Sequence, residues 1–226
     1  MRPKKGSPPV KKGPSMHVFE KLFGGLKMSW PFVVVFGIIA GIYTGIMASV
    51  PALAETSFHD IAVSLECWVI FAFIIAANCK KSWESALKIF VFFVISQPLC
   101  FLTEVFLGTL TPDLAVYYYS AIWGPATLLT LPGGFIAFYI GKQNALGCII
   151  LGLGNTIQAI MGLSYLRTML ATPPFHLLTI IICFGSIIVM TLAIQKSTKN
   201  RILTFAVVLV ATLAILVLAM MTGRVL

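Results

Sequence analysis

Four ionisable side chains lie in or beside the apolar runs of this chain. Glu66 and Glu104 fall inside apolar runs, His59 comes just before one run, and His176 lies at the start of another. A carboxyl group can bind a cation, exchange a proton, or act with a histidine as general acid and base. Because an acid is costly inside a membrane, one that is found there usually faces a cavity or a partner. These residues are the first candidates for chemistry.

Amide side chains accompany the acids. Gln97 precedes Glu104 by seven residues, and Pro98 beside it frees a backbone carbonyl. Asn155 and Gln158 are three residues apart and so share one face of a helix. We predict one outward-facing polar pocket that binds a small polar or cationic solute or a proton. Its predicted lining is Glu66, Glu104, His59, Gln97, Asn155, Gln158 and His176.

Each of these residues also has a purely structural interpretation. Glu66 or Glu104 would lock helices together by pairing with Arg167 or His176, or would reach up to water at the headgroups. Asn155 and Gln158 would then serve as interhelical hydrogen-bonding groups, worth about 0.6 kcal/mol each. The sequence leaves both interpretations open.

Motifs of soluble enzymes are absent from the sequence. It contains no phosphate loop, GxGxxG, HExxH or GxSxG pattern. The five cysteines form no CxxC pair and lie almost entirely in apolar runs, where a free cysteine acts as a small hydrophobic residue. We therefore predict no catalytic residue, no metal site and no cofactor.

Composition and charge define the class of protein. The chain has 226 residues, of which 59% are hydrophobic and 10% are charged, whereas soluble domains have roughly 25% charged residues. The net charge is +9, and seven of the sixteen basic residues precede residue 28. Most of the others lie in short gaps between apolar runs, as in membrane proteins. This distribution predicts an integral membrane protein in a lipid bilayer, with no nucleic-acid partner.

Seven apolar runs approach the ~20 residues that a helix needs to cross a bilayer. The connections between them are short, so we predict an all-α fold: a polytopic transmembrane helical bundle in one domain, residues 29–226. Residues 1–28 form a basic segment, disordered at first and then interfacial, with Val18, Phe19, Leu22 and Phe23 facing the lipid. The predicted spans are Phe32–Val50, Ile61–Ala77, Ile89–Leu107, Val116–Ile140, Ala145–Tyr165, Phe175–Ile194 and Ile202–Met221.

Basic residues predict the orientation. With the N-terminus in the cytoplasm, fourteen of the sixteen basic residues lie inside, and only Arg167 and Arg224 lie outside. Lys and Arg near the ends of spans resist translocation, so we predict an N-terminus inside, a C-terminus outside, and location in a bacterial plasma membrane. Ala52 and Ala54 have the spacing of a signal-peptidase site, and cleavage there would leave six spans.

The same map places the two acids at similar depths. Glu66 lies five residues below Ile61, about 7–8 Å along the helix. Glu104 lies three residues from the outer end of its span, about 4–5 Å deep. We therefore expect the two carboxyl groups to converge near the outer mouth of the bundle.

Glycine and proline patterns predict packing. Gly37, Gly41 and Gly45 repeat every four residues on one helix face, which permits close approach of a neighbouring helix or of a partner subunit. Pro125 and Pro132, followed by Gly133 and Gly134, predict either a kink or a true break in the fourth span.

These features favour a transporter or a solute-capture membrane subunit over an enzyme. Two alternatives stay open: a membrane-embedded enzyme that uses a Glu–His pair on a lipid-borne substrate, and a non-catalytic partner, assembly or immunity protein that docks through the glycine face.

Overall fold

The computed structural model describes residues 14–54, 56–171 and 176–223, and these residues form helices and short connections without a strand. Two other helical turns interrupt the α-helices: a π-helical turn at Tyr119–Trp123 and a 3-10 turn at Phe138–Gly141. The helices are α1 Pro14–Leu22, α2 Trp30–Ser49, α3 Ser57–Val63, α4 Leu65–Ala77, α5 Ser82–Phe106, α6 Pro112–Tyr118, α7 Gly124–Ala137, α8 Ala145–Ala171, α9 Leu177–Ile194 and α10 Thr198–Met221.

In the described part of the chain, six helices are long and apolar enough to cross a membrane, which confirms the prediction of an all-α, multi-pass membrane protein. Five of them are α2, α5, α8, α9 and α10, and the sixth is the continuous segment Pro112–Gly141, which contains α6 and α7. Helices α3 and α4 pass the same test only as a pair, bent by 48°. The span count is six, or seven if the bent pair crosses as one unit. Seven spans and the orientation stay predictions.

Side-chain hydrogen bonds tie the helix ends together in two groups. At the first, the Asn78 amide nitrogen donates to the Leu22 carbonyl oxygen at 2.6 Å. The Gln143 amide donates to the Ile194 carbonyl oxygen at 2.8 Å. We call this the basic end, defined by the connections at residues 23–29, 78–81, 141–144 and 195–197. The opposite or acidic end comprises the described connections at residues 50–54 and 107–111 together with Thr56, Ala171 and His176, and here Ser49 and Thr109 share a hydrogen bond of 2.8 Å.

The glycine face of α2 packs against α5 of the same chain. A Cβ atom added at Gly41 would collide with the Ser96 carbonyl oxygen. A Cβ atom added at Gly45 would lie 2.6 Å from the Cys100 carbonyl oxygen. The two helices therefore approach almost backbone to backbone. Helix α5 occupies the face that the sequence also offered to a partner subunit.

Helix α8 is the centre of the second half of the bundle. Its glycines lie against three different neighbours: Gly152 against α10, Gly154 against the Phe73 ring of α4, and Gly162 against α9. The bent pair α3–α4 stands between α8–α9–α10 and α2–α5–α7. Trp68 of α4 packs on Phe92 of α5 with ring centroids 5.9 Å apart, within the main apolar core.

The sharp helix break occurs at Ser64 and not in the fourth span. Ser64 has extended backbone angles, φ −82° and ψ 163°, between the end of α3 and the start of α4. Pro132 is instead accommodated inside α7. The Ser64 hydroxyl hydrogen-bonds to Tyr165 across the bundle at 2.6 Å, so a tertiary contact stabilises the break without any proline or glycine there.

The first helix lies at the basic end. Phe23 just after it packs into the main apolar core of the protein and so does not face the lipid as predicted, while Val18 and Phe19 remain exposed. Residues 1–13, Glu55, the start of the sixth predicted span at Phe175, and Arg224 lie outside the described residues.

Candidate functional site

Glu66 lies in the first turn of α4, directly after the break. Helix α3 begins at Ser57, so Glu66 is nine residues, or about 13 Å of helix, from the start of the bent pair. The side chain has 0% exposure, and neither carboxyl oxygen has a hydrogen-bond partner among the described residues.

Two amide side chains of α8 complete this buried group. Gln158 donates from Nε2 to the Glu66 backbone oxygen at 2.7 Å. Asn155, one turn away, donates from Nδ2 to Thr191 Oγ1 of α9 at 3.1 Å. Their carbonyl oxygens, Gln158 Oε1 and Asn155 Oδ1, are buried without a partner. We call Glu66, Asn155 and Gln158 the central polar site, and all of its unpartnered atoms are hydrogen-bond acceptors if Glu66 is ionised.

No positive side chain neutralises Glu66 within the described part of the chain. The ionisable groups that interact with it are Asp60, Cys67, Tyr165 and Cys183. The Ser64 hydroxyl lies near the carboxyl group but without hydrogen-bond geometry. Burying an unpaired charge is very costly. An ionised Glu66 therefore requires a bound cation, and without a cation the carboxyl group must be protonated.

A second acid, Asp60 of α3, has the opposite environment. Its Oδ2 atom contacts His176 Nδ1 at 2.7 Å and accepts from Thr179 Oγ1 at 2.9 Å. The Ser57 hydroxyl accepts from the Thr179 backbone N–H at 3.2 Å. These four residues hold α3 against the start of α9, and we call them the acidic-end clasp. The sequence nominated His176 but gave Asp60 no role, since the two residues meet only through tertiary packing.

Glu104 and His59 form a separate, more open pair. Glu104 is half-buried, accepts a weak hydrogen bond from Cys100 Sγ at 3.4 Å, and interacts electrostatically with His59. Within the described residues, no hydrogen bond or ion pair joins Glu104 to Glu66. The two acids predicted to share one mouth thus have different immediate partners.

Gln97 belongs to α5 near the level of the central polar site. Trp68 packs on Phe93 with centroids 5.6 Å apart, which places Gln97, one turn further along α5, within about a turn of Glu66 in height. Gln97 Nε2 and the hydroxyl of neighbouring Ser96 are both buried without a partner. Unsatisfied polar groups therefore occur on α5 at about the same height as those of α4 and α8.

The central polar site is closed in this structure, because Glu66, Asn155 and Gln158 have no exposed surface. The cleft beside it, of about 200 Å³, opens between α4, α5, α7 and α8 and is apolar. Its walls include Leu65, Trp68, Phe93 and Gly133. The outward-facing polar pocket stays a prediction.

The described residues contain no cluster of three or more His, Cys, Asp or Glu side chains that could hold a metal ion. All five cysteines are free thiols.

Comparison of this chain with family models, curated proteins and solved structures finds no match.

Proposed function

We propose that this chain is a membrane transport protein, or the solute-capture subunit of one, that binds a small cation or a proton at the central polar site. The observation that carries the proposal is Glu66: a carboxyl group with 0% exposure and no hydrogen-bond partner for either oxygen.

Energetics distinguish this acid from a structural one. A charged acid at the centre of a membrane helix costs about 2.5–3.5 kcal/mol on insertion scales. Acids that lock helices together recover that cost through partners, as Asp60 does with His176 and Thr179. Among the described residues Glu66 has no such partner, and this lack of compensation supports a role in binding.

The position of the acid supports the same role. Glu66 is about 13 Å from the start of α3, and the hydrocarbon core is about 30 Å thick, so it lies near the middle of the bundle. In transporters, binding sites lie near the midplane on discontinuous helices, whose exposed half-helix ends bind charged groups. The break at Ser64 supplies two such ends beside Glu66.

The direct test is ion flux through the purified protein in phosphatidylethanolamine–phosphatidylglycerol vesicles. Proton entry is followed with an internal pH dye, and Na⁺, K⁺ and NH₄⁺ gradients are imposed in separate arms. We expect flux in at least one arm, its loss in Glu66→Gln, and its retention in the control Asp113→Asn, which alters an exposed acid. Flux in no arm, or full flux in Glu66→Gln, would contradict the proposal.

We further propose seven spans in a bacterial plasma membrane, with the basic end in the cytoplasm and the C-terminus outside. The excess of Lys and Arg near the basic end supports this orientation. A C-terminal phosphatase fusion, active only outside the cytoplasm, should be active, whereas a fluorescent protein fused there should be dark. The reverse pattern would overturn the orientation.

A further inference from the structure

We infer that the species bound at Glu66 is a proton, and that it reaches the site from the acidic end through the hydroxyl groups of Ser64 and Tyr165. This inference rests on the proposed function and adds the identity of the ion and its route.

The first link is the hydroxyl pair beside the site. Ser64 Oγ and Tyr165 Oη are 2.6 Å apart. Ser64 precedes Glu66 by two residues and lies near its carboxyl group, but the two groups are not hydrogen-bonded in this structure, so the Glu66 side chain must rotate to reach the Ser64 hydroxyl group. A hydroxyl group both donates and accepts, so each can receive a proton on one side as it releases one on the other. The helix break turns the Ser64 side chain towards α8, where Tyr165 lies.

The second link leads outwards. The Tyr165 and His176 rings are in contact, with centroids 5.5 Å apart. His176 Nδ1 is engaged by Asp60 at 2.7 Å, which leaves Nε2 as its other proton-accepting atom. The His176 side chain is 12% exposed, whereas Glu66 is fully buried. These neighbouring groups therefore lead from the buried carboxyl group to the partly exposed histidine, joined by one hydrogen bond (Ser64 to Tyr165) and one ring contact (Tyr165 to His176).

The transfer balances without any further reactant. Side-chain rotations must first bring the Glu66 carboxyl group to Ser64 Oγ and the Tyr165 hydroxyl group to His176 Nε2, since only the Ser64–Tyr165 hydrogen bond is already formed. The neutral carboxyl group then releases its proton to Ser64 Oγ while the serine proton passes to Tyr165 Oη and the tyrosine proton passes to His176. The products are a Glu66 carboxylate and an imidazolium ion beside the Asp60 carboxylate, which balances the new positive charge. The reverse sequence reloads Glu66.

Enclosure favours a proton over a metal ion. The three residues of the central polar site have no exposed surface, and a proton needs neither a cavity nor a coordination shell. No described lysine or arginine faces Glu66, and the ionisable groups near it are the acid Asp60, the thiols Cys67 and Cys183, and Tyr165. A proton is thus the simplest group that neutralises the acid in the closed state.

The test is the rate at which the Glu66 carboxyl proton exchanges with D₂O, followed by infrared spectroscopy of the full-length protein in vesicles. The carbonyl stretch of a protonated acid shifts on deuteration, and the Glu66 band is the one missing in Glu66→Gln. We expect exchange at least about tenfold slower in Tyr165→Phe and in Ser64→Ala, as for a barrier raised at one step.

Matched variants distinguish the loss of a proton-carrying hydroxyl group from a disturbance of the helix structure. Tyr139→Phe removes a tyrosine hydroxyl near the basic end and should exchange like the unmodified protein. Ser64→Thr keeps a hydroxyl group and should restore exchange, which distinguishes a lost relay from a disturbed helix break. Thermal melting of each variant checks that it is folded.

The outcomes separate this inference from the proposed function. Unchanged exchange in both Tyr165→Phe and Ser64→Ala overturns the route, and the absence of any Glu66 band overturns the proton. In either case the proposed function stands if flux is still lost in Glu66→Gln. Flux that survives Glu66→Gln overturns both.

Discussion

Asp60 and Glu66 lie six residues apart in the same bent pair of helices, yet their surroundings differ completely. Asp60 in the acidic-end clasp contacts His176 and Thr179. Glu66 in the central polar site has no partner for either carboxyl oxygen. Since nearly all buried polar groups in proteins are hydrogen-bonded, each exception requires an explanation. The difference indicates a structural role for Asp60, whereas Glu66 is the acid that we propose binds a ligand.

The largest expected effect is on the clasp. Asp60→Ala leaves His176 and Thr179 without their shared acceptor and should lower the free energy of unfolding by about 3 kcal/mol. Thermal or denaturant unfolding in detergent measures the change, with Asp113→Ala as the exposed control. If the two substitutions lowered the free energy of unfolding by the same small amount, the claim that Asp60 stabilises the bundle would be wrong.

A smaller loss is expected for one hydrogen bond of the clasp. Thr179→Val keeps the side-chain shape but removes the hydroxyl donor to Asp60, which should cost about 1 kcal/mol. Combining it with Asp60→Ala tests whether the two residues act together. Fully additive losses in the double variant would show that the contact contributes nothing.

Glu66→Gln should change the free energy of unfolding by less than about 1 kcal/mol, because glutamine has nearly the shape of the neutral, protonated acid and Glu66 has no hydrogen-bond partner among the described residues to lose. The same variant should lose ion flux. A clear fall in the unfolding temperature would instead show that Glu66 is structural, like Asp60.

The smallest effect is expected for Glu104→Gln. Glu104 is half-buried and bound only weakly by Cys100, so the free energy of unfolding should change by less than about 0.5 kcal/mol. Flux should fall much less than in Glu66→Gln. Equal loss of flux in the two variants would show that both acids serve one site, as the sequence alone suggested.

The sequence predicted what depends on local pattern. Hydropathy located the long helices. The spacing of Asn155 and Gln158 predicted a shared helix face, and both amides are buried on α8, whereas the outward-facing pocket that they were predicted to line stays a prediction. The four-residue glycine repeat of α2 marked a close helix contact, and α5 provides it.

The remainder depends on contacts between distant residues. His176 meets Asp60 across 116 positions, and Ser64 meets Tyr165 across 101. Neither contact leaves a periodic signal in the sequence. Pro132 predicted either a kink or a break, and the structure keeps it inside α7, whereas the sharp break occurs at Ser64, whose hydroxyl group is hydrogen-bonded to Tyr165.

Labelling with a lipophilic carbodiimide, which modifies protonated carboxyl groups in apolar surroundings, tests the central claim most directly. Mass spectrometry of the protein labelled in native membranes identifies the modified acid. We predict modification of Glu66, with Asp60 protected by His176 and Thr179, and loss of flux in proportion to labelling. Modification of Asp60 or Glu104 with Glu66 left untouched would contradict the account.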